Sequence, residues 1–62
     1  MFKEREDYPI STWIIDLRDI IAKREFIEKK DALLIIVEDI IEFLEMYSEG
    51  LQPQAAYKEM IE

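Results

Sequence analysis

The sequence has no cysteine and no histidine, only one glycine and two prolines. Without cysteine no disulfide can staple the fold, and without either residue the usual ligand sets for zinc and other transition metals are missing. The Ser-His and Cys-His nucleophile pairs are excluded for the same reason. The one glycine, Gly50, cannot make a phosphate-cradling loop or an EF-hand. Long hydrophobic runs are missing too. The longest, Ala32 to Val37, has six residues, against the roughly 20 that span a bilayer. The first residues, MFKEREDYP, lack the apolar core of a secretory signal. These absences lead us to expect no cofactor, no membrane insertion and a cytoplasmic location.

What is present is a chain of 62 residues, half of them hydrophobic and 37% charged, with a net charge of −7. That balance is globular rather than disordered. One domain is the limit at this length, and such a domain buries only about 60% of its unfolded surface. Disulfides and structural zinc being excluded, oligomerisation is the remaining staple. The acidic surface is repelled by phosphate backbones and anionic lipid, so direct nucleic-acid binding is not expected. A second copy of the chain, or a protein with a basic surface, is the expected partner.

The pattern predicts an all-α fold. Residues 1–8 read as a flexible lead-in and 9–62 as a single helical domain, with helices over about 12–25, 32–48 and 53–61. Ser11 reads as the first N-cap, because its hydroxyl can accept a free backbone N–H. Ile10, Trp13, Ile14, Leu17, Ile20 and Ile21 then fall on an ordinary core-facing stripe of roughly 120°. Asp31 reads as the next N-cap. Gly50 suits the left-handed residue that ends a helix, with Leu51 packing back. Pro53 stands at a favourable first-turn position. The outline is a helical hairpin plus a short C-terminal helix, a small bundle.

The second helix carries more apolar surface than one neighbour can cover. Its apolar residues spread over an arc of about 200°, whereas a helix packed alongside covers about 100°. The surplus falls around Leu34 and Ile41 or around Ile36 and Phe43, and these four are the expected interface residues. The simplest cover is a symmetry mate, giving a two-fold homodimer or a higher oligomer. Glu38, Glu42, Glu45 and Glu49 fill a narrow acidic stripe beside that arc.

Glu25 and Glu28, then Glu42 and Glu45, form ExxE, thirteen residues, ExxE. Carboxylates three apart on a helix share a face and can hold Mg²⁺ jointly. The spacing resembles the two acidic pairs of the all-α nucleoside triphosphate pyrophosphatases. That resemblance implies a Mg²⁺-dependent nucleotide hydrolase whose site is assembled across a dimer from these four glutamates. A solvated face is the simpler reading of the same residues in so acidic a chain. With catalytic residue types largely absent, the leading expectation is not an enzyme. It is a small regulatory interaction module of the inhibitor, antirepressor or adaptor type, with the acidic stripe available to a basic partner. A purely structural oligomerisation element is the third reading.

Overall fold

Pro9 sets where the first helix begins. Its ring fixes φ at −59°, its ψ is extended at 141°, and α1 runs from Ile10 to Glu25. The computed structural model describes residues 3–61, and among them all regular structure is helical. After α1 come α2 (Lys29–Glu38), α3 (Ile40–Ser48) and α4 (Pro53–Met60).

Three junctions differ from the sequence expectation. Ser11 lies inside α1 and makes no cap. The first free N–H, that of Ile10, donates to the Glu4 carboxylate at 2.6 Å. Asp31 likewise sits in the first turn of α2, whose N-cap is Glu28. The turn closes earlier than expected because Phe26 adopts a left-handed backbone, φ 56° and ψ 45°. The Ile27 N–H then reaches back to the Ala22 carbonyl at 3.1 Å, ending α1 as a glycine would. The third difference is the single helix expected over 32–48, which is two. Asp39, at φ −119° and ψ 32°, separates them. Its N–H bonds the Ile36 carbonyl only three residues back, at 3.2 Å, and its own carbonyl accepts from Phe43 to start α3. Aspartate favours helix ends over interiors, because its side chain competes for backbone partners.

Gly50 behaves as its position suggests. With φ 97° it turns the chain, while its own N–H bonds Tyr47 and that of Leu51 bonds Met46, each at 3.1 Å. The Met46 and Tyr47 carbonyls at the end of α3 are thereby satisfied.

The lead-in is fastened rather than loose, a correction for residues 3–8; residues 1 and 2 lie outside the described ones. Arg5 is only 13% exposed. Its guanidinium donates to the Tyr47 carbonyl at 3.2 Å and the Leu51 carbonyl at 3.0 Å. It also lies 5.6 Å and 5.2 Å from the Tyr8 and Tyr47 ring centres, within cation–π range. A cation at the carboxyl end of α3 complements the helix dipole there. The Tyr47 hydroxyl accepts from the Arg5 N–H at 2.8 Å and donates to the Tyr8 carbonyl, with the Glu4 carboxylate 3.0 Å away. The Tyr8 hydroxyl donates to Asp16. Burial, reinforced by that carboxylate, pushes the Tyr8 phenol up to about 12. Burial raises the Tyr47 phenol as well, against the opposing effect of the Arg5 N–H.

The core is one cluster: Trp13, Leu17 and Ile21 from α1, Ala32 and Ile36 from α2, Phe43 and Tyr47 from α3, Ala56 and Tyr57 from α4. Trp13 meets Tyr47 edge to face, with ring centres 5.5 Å apart and planes at 74°. The Trp13 indole N–H donates to the Leu51 carbonyl at 2.9 Å. α1 packs against α2 on one side and α4 on the other, and α3 leans on α4. The radius of gyration is 10.7 Å, close to the roughly 10.6 Å of a compact chain this long. Among the described residues every buried side-chain polar atom has a partner.

Candidate functional site

Ala32, Ile36, Phe43 and Tyr47 fall within about 60° on a helical wheel, and this stripe is the part of α2 and α3 that enters the core. Ile35, Ile40 and Met46 flank it, half-buried against the same core, whereas four other aliphatic residues point elsewhere. Leu33 is 40% exposed, Leu34 61%, Val37 55% and Ile41 69%. Four large aliphatic side chains exposed on neighbouring turns, within an otherwise well-satisfied fold, make this face the candidate site.

This placement divides the four residues expected at an interface. Leu34 and Ile41 are exposed. Ile36 and Phe43 are fully buried in the chain's own core, so as interface residues they are corrected. The wheel alone could not separate the two pairs, because both lie within one broad apolar arc. Ala32 is buried and Ile36 stands one turn further on the same stripe, so the side from which α1 packs decides which pair turns inward. Leu33 and Val37 belong to the exposed face and lay on the arc without being singled out.

Glu38, Glu42, Glu45 and Glu49 are all exposed. Glu38 follows Leu34 by four residues and Glu45 follows Ile41 by four, so each carboxylate stands one turn beyond an exposed aliphatic on the same edge. No Lys or Arg occurs from Asp31 to Tyr57. The face is therefore apolar along its middle and acidic at its margin.

The four glutamates of the two ExxE pairs have separate surroundings. Glu25 accepts from the Tyr57 hydroxyl at 2.6 Å, tying the end of α1 to α4. Glu28 is the N-cap residue of α2. Glu42 and Glu45 lie on α3, in the acidic margin. Among the described residues no three carboxylates come together as a metal-holding group within one chain. No helix among them is long and apolar enough to cross a membrane.

Phe26 is a second exposed feature that sequence reasoning missed. It is 93% exposed and borders a surface hollow lined also by Ile20, Lys23, Arg24 and Gln54. No sequence signal marks it, since a left-handed residue is normally announced by glycine or asparagine. Comparison of the chain with family models, curated proteins and solved structures returns no match.

Proposed function

We propose that the chain is a protein–protein interaction module of regulatory type, an inhibitor, antirepressor or adaptor, that acts by docking its α2–α3 face on another macromolecule. The observation that carries this reading is the exposure of Leu33, Leu34, Val37 and Ile41 beside a continuous acidic margin. Covering a large aliphatic side chain fully contributes about 1.5–3 kcal/mol, so such a face gains from a partner in a way a polar face does not. Carboxylates at the rim add selectivity and faster encounter with a basic surface. A second copy of the chain has access to the same face, which is how self-association enters the function.

Affinity capture from cells that co-express an untagged copy tests the proposal. Wild type and a Leu34→Gln/Ile41→Gln variant are compared, since glutamine keeps helix propensity and net charge while removing the apolar seat. The expected result is a set of proteins, the untagged copy among them, held by wild type and lost with the variant. Identical captured sets would count against docking through this face.

A further inference from the structure

We propose that a second copy of the chain occupies the α2 part of this face as an antiparallel two-fold pair centred on Leu34, in which Lys30 of each protomer meets Glu38 of its partner. The inference rests on the docking reading and specifies the partner, its direction and its register.

The charges on α2 run against its own dipole. Lys29 and Lys30 stand in its first turn, at the positive end, where only Asp31 has the favourable sign. Glu38 is its last residue, Asp39 follows, and its last turn holds no base. Lysines at an N-terminus and carboxylates at a C-terminus each oppose the helix field. Lys29 already pairs with Asp19 of its own chain at 3.8 Å. An antiparallel neighbour sets the remaining base, Lys30, against the acidic last turn of its partner, and the two dipoles also oppose. Between the charged ends lie Leu33, Leu34 and Val37, all at least 40% exposed. α2 is thus self-complementary: bases, an apolar middle, acids.

The register follows from spacing. Lys30, Leu34 and Glu38 are four residues apart and form one row along the helix. A two-fold axis at Leu34 carries position 30 onto position 38. An alternative pair centred near Asp39 brings no base to its acids: no Lys or Arg occurs from Asp31 to Tyr57, so Glu38, Asp39, Glu42 and Glu45 of both protomers would gather with nothing of opposite sign between them.

Charge reversal tests the pairing. Lys30→Glu and Glu38→Lys are exposed changes, each placing a charge of the sign the α2 dipole favours, so both variants are expected to fold at least as well as wild type. In sedimentation equilibrium, wild type is expected to approach twice 7.5 kDa as concentration rises, less readily at high salt. Each variant alone sets like charges together at both contacts and is expected to dimerise about tenfold more weakly or worse. An equimolar mixture of the two restores opposite charges at both contacts, and a heterodimer should form about as readily as the wild-type dimer. Three results would overturn the pairing: a wild type that stays monomeric throughout, single variants that dimerise like wild type, or a mixture that forms no heterodimer. Any of these leaves the docking reading standing if Leu34→Gln/Ile41→Gln still loses its captured partners. The docking reading falls separately if that variant captures the same proteins as wild type.

Discussion

A chain ending at Gly50 is expected to show no cooperative melting transition. The segment removed is small but central to the packing. Pro53, Ala56 and Tyr57 are buried, and Met60 and Ile61 pack against the core. Tyr57 alone, fully buried, accounts for about 1.5–3 kcal/mol. The loss extends past α4. The Leu51 carbonyl, which accepts from both the Trp13 indole and the Arg5 guanidinium, goes with it. Leaving a buried donor unpaired costs about 1–3 kcal/mol. A domain this size has a total stability of roughly 3–9 kcal/mol at usual values per residue, so these losses consume most of it. Circular dichroism should retain some helical signal but show a broad, shallow melt. A truncated chain that melts sharply at the wild-type temperature would mean that α4 is not docked.

Trp13→Ala should have the next largest effect, a loss of about 3–5 kcal/mol. Trp13 is fully buried, packs edge to face on Tyr47 and links α1 to the α3–α4 turn through Leu51. In a domain of this size each kcal/mol lowers the melting temperature by about 4–8 °C, so the fall should be at least about 12 °C. Trp13→Phe should cost less, because it keeps an aromatic ring against Tyr47 and loses mainly the bond to Leu51. If Trp13→Ala lowers the melting temperature by only a degree or two, Trp13 does not organise the core.

The core face of α1 was legible in the sequence because Trp13, Leu17 and Ile21 recur every four residues. Gly50 was legible because a left-handed helix end favours a residue without Cβ, and Leu51 lay where the motif wants an apolar residue. The turn at Phe26 and the break at Asp39 were not. Neither carries glycine or proline, and Asp39, beside Glu38, is equally at home on the outer face of a continuous helix. Arg5 was hidden for another reason. In a charged lead-in it looks solvated, and its burial depends on carbonyls more than forty residues away. The candidate face was legible as a quantity before it was legible as a place. The surplus of apolar arc was plain, but assigning Leu34 and Ile41 to solvent and Ile36 and Phe43 to the core required knowing how α1 approaches.

The most direct measurement of whether that face is free of the fold is the thermal stability of Leu34→Gln/Ile41→Gln, taken where wild type is monomeric. Exposed positions usually tolerate substitution within about 0.5 kcal/mol each, so the variant is expected to melt within a few degrees of wild type while losing its captured partners. A loss of about 2–5 kcal/mol, the cost of truncating a buried aliphatic side chain, would place Leu34 or Ile41 in the core and contradict the proposal that this face exists to be covered by another molecule.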